Sequence, residues 1–458
     1  MPGFEDEWPD IQGNILRPYA HPHARYAIVR IDDAAGARRL LASLLDQRLI
    51  TTAAPWAPAE KPDATLNVYF SWHGLAAIGL PQASLDSFPE EFRQGMAARW
   101  QQLHDPDPAG WEFGGDPGQT DVFFAVYGYT AENVETRLDK LREELGKVAG
   151  AVTVTHRQDT AMLERGTEHF GFHDGFGQPQ IAGSGAPEYR GDGTPVGENG
   201  WEPIATGEFI LGQPAESGQP RAVPLPAALG RNGSFMVYRK MEQDVPKFRA
   251  FLRAEAGRLY GSAAPENVER LAAKLVGRCR SGCPVMLSPE GDDPSLAQQW
   301  GINNDFRYAA DPRGAVCPLG SHIRRMNPRD GLPGDIATLP QTHRIVRRGL
   351  PYGEWLAEDN NGDGKERGVA FMAVNASLAY QFELVHQDWT NSGEFAGLDA
   401  QDVDPFNGEP REGSRFRIRV SGRPKSINDL PRFTTLRGGG YFFIPSLTAL
   451  RFIAGQQP

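Results

Sequence analysis

The sequence predicts an α+β protein made of antiparallel sheets with peripheral helices, and three observations carry that prediction. Stretches with apolar residues at every second position alternate with stretches whose apolar residues fall three and four apart, in both halves of the chain. In residues 26–155 the order is β-α-β, an insertion, then β-α-β, the split βαβ arrangement of ferredoxin-like domains. At 458 residues the chain exceeds one ordinary core, so a second domain is expected.

The elements follow in order. "YAIVRI" (26–31) reads as a strand with Ala27, Val29 and Ile31 inward. "AAGARRLLASLLD" (34–46) sets Ala37, Leu40, Leu41, Leu44 and Leu45 on one helical face. "TLNVYF" (65–70) returns to period two, with Leu66, Val68 and Phe70 inward, and an insertion with its own helix follows. "DVFFAVYGY" (121–129) is a strongly apolar strand. The helix "TAENVETRLDKLREELGKV" (130–148) opens on Thr130 as N-cap, and "AVTVT" (151–155) closes the unit. Residues 181–232 are dense in Gly and Pro and read as a long irregular connection, apart from "GEFILG". Periodic structure resumes in the strand "SFMVYR" (234–239) and the helix 244–260. The strand "GVAFMAVN" (368–375) precedes a helix over 376–389, and the strand "GGGYFFIPS" (438–446) leads into "LTALRFIAG". This gives an N-terminal unit over 1–160 and a C-terminal unit over 161–458.

Composition narrows the function. Hydrophobic residues make up 40% and charged residues 23% of the chain, the balance of a soluble globular protein. The net charge of −11 argues against nucleic acid and anionic membranes, which both need a basic patch. Cys279, Cys283 and Cys317 are few and odd in number, so neither a disulfide framework nor a zinc site is expected. The acidic start lacks the apolar core of a signal peptide, and no apolar run approaches a membrane span; a cytoplasmic protein is expected.

Four segments of the second half carry candidate chemistry. "FGFHDGFGQPQIAG" (170–183) holds Asp174, "CPLGSHIRRMNPRD" (317–330) holds His322, "THRIVRRGLPYG" (342–353) holds Arg347, and "NASLAYQFELVHQDW" (375–389) holds Glu383. Singly, each has a plain reading: an Asx-turn at Asp174–Gly175, a core histidine, a solvated basic face, a surface acid. Two further patterns are incomplete: His169 and His173 resemble a metal pair without an obvious third ligand, and "DNNGDGKERG" (359–368) is half a calcium loop whose closing Glu is replaced by Ala370. Jointly, the four segments suit a haem. A histidine ligates iron through Nε2, and a carboxylate on its other nitrogen makes the imidazole more donating. A second carboxylate can move the peroxide proton, and an arginine beside it stabilises the charge that develops.

At these residues the chain resembles the dye-decolorizing peroxidases. The Gly-x-x-Asp-Gly motif reads Gly171-Phe172-His173-Asp174-Gly175, the proximal-histidine motif "GSHIRRMNPR" and the distal-arginine motif "IVRRGLPYG". "DIQGNIL" (10–16), "GEFILG" (207–212) and "RNGSFMVYRKMEQDVPKF" (231–248) match as well, so the resemblance covers nearly the whole chain. It implies two ferredoxin-like domains with the haem in the C-terminal one, and one haem b per chain. It implies His322 as axial iron ligand, Asp174 as distal acid–base, Arg347 as distal arginine and Arg329 as partner of a haem propionate. Gly175 would let the backbone approach the cofactor, Val369 and Phe371 would line the distal pocket, and Glu383 would be the carboxylate behind His322. Where some relatives carry Asn two residues after the distal arginine, this chain has Gly349.

The activity so implied is oxidation of bulky aromatic compounds and dyes by hydrogen peroxide through an oxo-iron(IV) intermediate. Trp389 and Tyr352 are named as electron-transfer candidates, with buried packing the stronger reading of each. Length and the missing secretion signal resemble the larger bacterial, cytoplasmic branch. A second copy of the chain is admitted as a partner. The competing reading is a haem-handling protein, a deferrochelatase or carrier, which would use the same histidine and need no Asp–Arg pair.

Overall fold

The computed structural model describes residues 3–332, 340–392 and 395–456. Along the first half run β1 (His23–Ile31), α1 (Ala34–Asp46), β2 (Ala64–Phe70), α2 (Glu90–Ala98), β3 (Val122–Gly128), α3 (Ala131–Gly146) and β4 (Val152–Ala161). The second half contributes β5 (Ser234–Gln243), α4 (Val245–Tyr260), α5 (Pro265–Val276), α6 (His322–Met326), β6 (Val346–Arg347), β7 (Leu350–Tyr352), β8 (Gly368–Asn375), β9 (Thr434–Ile444) and α7 (Leu447–Ala454). Local chemistry fixes the helix starts. Asp33 accepts from the N–H groups of Ala35 and Gly36, and Thr130 forms a reciprocal capping box with Asn133.

The strands form one sheet in the order β4-β1-β3-β2-β9-β5-β8-β6, with β7 also paired to β8. The first half has the ferredoxin-like order 4-1-3-2. Counting β5, β6, β8 and β9 as first to fourth, the second half repeats it. The halves meet at β2 and β9, where the ladder consists of Phe70 opposite Phe443. Buried Gln12 bolts this seam: its Nε2 donates to Val68 O at 2.7 Å and to Pro445 O at 2.9 Å. At the other extreme β4 comes to lie beside β7, so the sheet curls towards a closed barrel.

Closure explains what alternation alone could not show. The outward face carries α1, α3 and α7 over a core that includes Val29, Leu66, Val68, Phe70, Phe235 and Phe443. The inward face is equally buried, with Tyr26, Ile28, Tyr69, Phe123, Tyr127, Met236, Tyr238, Met372 and Phe442 filling the barrel. Strands β2 and β3 are therefore buried at every position. The helix expected over 376–389 is two π-helical turns, Leu378–Glu383 and Val385–Thr390. Strands β6 and β7 went unread, being two and three residues long.

Candidate functional site

A cavity of about 310 Å³ opens in the second half, and Asp174, His322, Arg329, Arg347, Val369 and Phe371 all line it. His322 is the first residue of α6. Its Nδ1 lies 2.9 Å from Asp404 Oδ2 and 3.1 Å from Oδ1, which leaves Nε2 as the nitrogen free to serve the cavity. Asp404 is fully buried and also accepts from the N–H groups of Phe406 and Asn407, both at 2.8 Å. Burial pushes this carboxyl up, but the charge and hydrogen bond of His322, the Asn407 N–H and the Arg325 guanidinium outweigh it, and its pKa lies below the usual carboxylate range.

The carboxylate behind the histidine is thus Asp404, and Glu383 is corrected. Glu383 accepts from Arg99 Nε and Nη2, each at 2.6 Å, and from the Tyr441 hydroxyl at 2.9 Å. The turns of 378–390 aim Phe382, Val385 and His386 at the cavity and direct Glu383 towards the insertion of the first half.

Asp174 stands on a loop bent by three left-handed glycines, Gly171, Gly175 and Gly177, with φ of 95°, 100° and 70°. Gly175 N–H donates to Asp174 Oδ1 at 2.6 Å, and Arg347 Nη2 lies 3.5 Å from the same oxygen. A Cβ on Gly175 would meet nothing within 4 Å, so backbone conformation and not crowding selects glycine there. Arg347 begins the turn between β6 and β7. Gln178 clasps its backbone, accepting from its N–H at 3.0 Å and donating to its carbonyl at 3.2 Å, while Nη2 donates to Phe176 O at 2.8 Å. The first arginine of the "VRRG" pair points to the cavity. The second, Arg348, points into the barrel and donates to Asn14 O at 2.7 Å, within the "DIQGNIL" segment.

Arg329 is buried, with φ of 54°, and its guanidinium donates to the carbonyls of Gly191, Asn304 and Phe306. Arg278 and Arg344 join it at the cavity wall. Burial lowers all three, Arg278 to about 10 and Arg344 to about 9. Among the described residues none of the three has a carboxylate within ion-pair distance, and their hydrogen bonds go to neutral oxygens. Asp192 is the acid they surround; burial raises it to about 6 against the pull of Arg344, Arg329, Arg278 and Arg347. The wall therefore carries excess positive charge and suits an anionic edge.

An apolar stretch of the cavity is formed by Ile323, Met326, Val369, Phe371, Phe382 and Val385. A flat apolar group with carboxylates on one edge and an open axial position fits these residues, which is the chemistry of a haem. Tyr352 and Trp389 are 4% and 8% exposed, both packed inside. Asp363 of the 359–368 turn is taken by Arg367 at 2.7 Å. Asp404, Arg278, Arg344 and Asp192 escaped the sequence reading. The "VDPFNG" segment (403–408) carries no motif, and nothing in one sequence reveals which histidine its acid will meet.

Residues 10–161 match the family model described as "DyP dimeric alpha+beta barrel domain". The chain is 30% identical over 467 residues to the dye-decolorizing peroxidase msp1 of Mycetinis scorodonius, covering 97% of this chain and 87% of that protein. It is also 30% identical to the multifunctional dye peroxidase DyP2 of an Amycolatopsis species, covering 96% and 95%. A solved dye-decolorizing peroxidase in complex with 2,6-dimethoxyphenol superposes with a TM-score of 0.83 at 26% identity, covering 98% of this chain and 99% of that one. Similarity to the deferrochelatase of Yersinia pestis, 33% identical, is confined to 23% of this chain and 20% of that protein.

Proposed function

Since this chain belongs to the dye-decolorizing peroxidase family and is a haem-dependent peroxidase, we propose that its cavity holds one haem b on His322 and cleaves hydrogen peroxide with Asp174 and Arg347. The observation that carries the reading is that one cavity collects a carboxylate-backed histidine, an Asp–Arg pair and an arginine-rich wall.

Bound there, a haem would supply the redox chemistry that the protein side chains lack. His322 would hold the iron through Nε2, with Asp404 on Nδ1 fixing the tautomer and making the ring a stronger donor. Arg329, with Arg278 and Arg344, would receive the propionates. Val369 and Phe371 would exclude water. Asp174, its side chain 65% exposed to the cavity and its mouth, is placed to take a proton from one peroxide oxygen and deliver it to the other. The Arg347 guanidinium beside it would face the negative charge that develops between the oxygens. A carrier needs no such pair, which favours catalysis over haem transport.

The reducing partners would be bulky aromatic compounds and dyes, by analogy with the dye-decolorizing relatives. We assign the chain to the cytoplasm, on the buried, unpaired state of Cys279, Cys283 and Cys317, and to the larger bacterial branch. No described helix is long and apolar enough to cross a membrane. The repeated strand order supports units at 1–160 and 161–458, and self-association is retained as a partner class.

Stopped-flow mixing of the haem-loaded protein with peroxide tests the roles. Asp174→Asn should slow the peroxide step at least 100-fold, and Arg347→Leu should slow it as well. A wild-type rate in Asp174→Asn removes Asp174 as proton carrier. His322→Ala should lose the axial-nitrogen signature; an unchanged resonance spectrum would refute the ligand.

A further inference from the structure

Asp174 makes few contacts of its own. Its carboxylate receives one N–H from the next residue and faces Arg347 at 3.5 Å. Its place beside the cavity is therefore set by the loop that carries it. That loop has a carboxylate at its centre which the mechanism does not use. Glu168 Oε2 accepts from the Phe170 N–H and Oε1 from the Phe172 N–H, both at 2.9 Å. The backbone closes the same ring: Glu168 N–H donates to Phe172 O at 2.9 Å, and Gly171 N–H donates to Glu168 O at 2.9 Å. This is a nest of main-chain N–H groups gripping an anion supplied by its own chain.

The anion is tied to the frame. Gln243, the last residue of β5, donates its Nε2 to Glu168 Oε2 at 2.5 Å. Three donors thus converge on one carboxylate that also lines the cavity. From outside, Arg280 lays its guanidinium 4.4 Å over the Phe172 ring and donates to Phe170 O, and its carbonyl accepts from the His173 N–H at 2.9 Å. The left-handed turn at Gly171 sits between the two gripped amides, and Asp174 follows three residues later.

We propose that Glu168 is a positioning residue for peroxide cleavage, fixing the 170–175 turn to β5 so that the Asp174 carboxylate stays beside Arg347. The proposal rests on the reading of Asp174 as proton carrier. Glu168 acts through that residue and does not touch peroxide. An amide at 168 keeps the volume but turns an NH2 group against a loop N–H, so at least one grip is lost.

Two readouts on the haem-loaded protein, and one on the haem-free protein, test it. Glu168→Gln should slow the peroxide step about 10- to 100-fold, the range expected for an ångström-scale misplacement. Added to Asp174→Asn, it should slow the step no more than about 2-fold further, because residues acting as a unit are non-additive. Hydrogen exchange of the Phe170 and Phe172 amides should accelerate with and without haem. Losses that multiply in full in the double variant, or amides that exchange at the wild-type rate, would overturn the proposal while leaving Asp174 in its role. A wild-type rate in Asp174→Asn alone would instead sink the proton-carrier reading, and the exchange data would still report on the grip. Should Glu168→Gln not fold, Gln243→Leu cuts the tie to β5 alone. It should hasten exchange of the same two amides, and unchanged exchange there counts against the proposal.

Discussion

At His322 the choice between two buried carboxylates turns on reach. Asp404 sits 2.9 Å from Nδ1, while Glu383 is saturated by Arg99 and Tyr441. The two acids therefore answer to different measurements. In the haem-loaded protein Asp404→Asn replaces an anionic acceptor by a neutral one, which under the proposed ligation would weaken the donation of His322 to iron. The iron–histidine stretching band should fall to lower frequency, and the same band should stay in place in Glu383→Gln. The latter instead leaves Arg99 without its charge partner. Side chains only 12% and 3% exposed make the loss about 3 kcal/mol of stability, measurable by denaturant unfolding. A shift of the band in Glu383→Gln with none in Asp404→Asn would reverse the assignment. Asp174, His322 and Arg347 were legible as candidates because each lies in a short motif read as a unit, and all three line one cavity. Glu383 misled because an acid in the 375–389 segment carries no mark of its partner, which proves to be Arg99 and Tyr441 and not the histidine.

The elements that shape the cavity are mostly irregular ones. Among the regular elements Ala34–Asp46 and Gly368–Asn375 coincide with the sequence reading, since the apolar period is clear there, whereas α5 went unread and β4 runs six residues past its expected end at 155. The site rests on the other kind: a glycine-rich loop, two π turns and a tight turn after α5. That last turn fixes the loop of Asp174 by shape. Gly282 has φ of 96°, and a Cβ there would stand 2.0 Å from the Phe176 ring. Gly282→Ala is therefore strained twice, in backbone and by overlap. It should destabilise the protein by about 2–4 kcal/mol and displace Phe176, whose carbonyl accepts from Arg347 at 2.8 Å. Thermal unfolding should show the loss. Gly257→Ala on α4, where nothing stands within 4 Å, should show none.

For the molecule as a whole, one ferredoxin-like pattern was readable over 26–155 and an α+β unit beyond it, but their fusion into one curled sheet was not. A single ladder pair and the Gln12 side chain make the seam, and neither has a periodic signature. The insertion between β2 and β3 adds two buried ionic ties to the second half. Arg99 meets Glu383, and Asp105 meets Arg239 on β5, with Arg239 Nη1 at 2.8 Å, and His386 at 3.5 Å. The second tie carries a pH dependence of known sign. Burial would push Asp105 up, but Arg239 and His386 outweigh it and hold its carboxyl at about 2. A carboxyl lowered on folding binds its proton more readily in the unfolded chain. Its contribution is thus complete above about pH 4, the unfolded range, and is lost as the pH falls towards 2. The difference is worth about 2 kcal/mol. Asp105→Asn removes that term and leaves Arg239 buried beside a neutral group. Denaturant midpoints of the haem-free protein, measured from pH 6 to pH 2, should therefore converge: the variant starts lower and approaches the wild type as the acid limb is crossed. Parallel curves, with the same gap at pH 2 as at pH 6, would show that Asp105 keeps its ordinary affinity for the proton and does not tie the halves by charge.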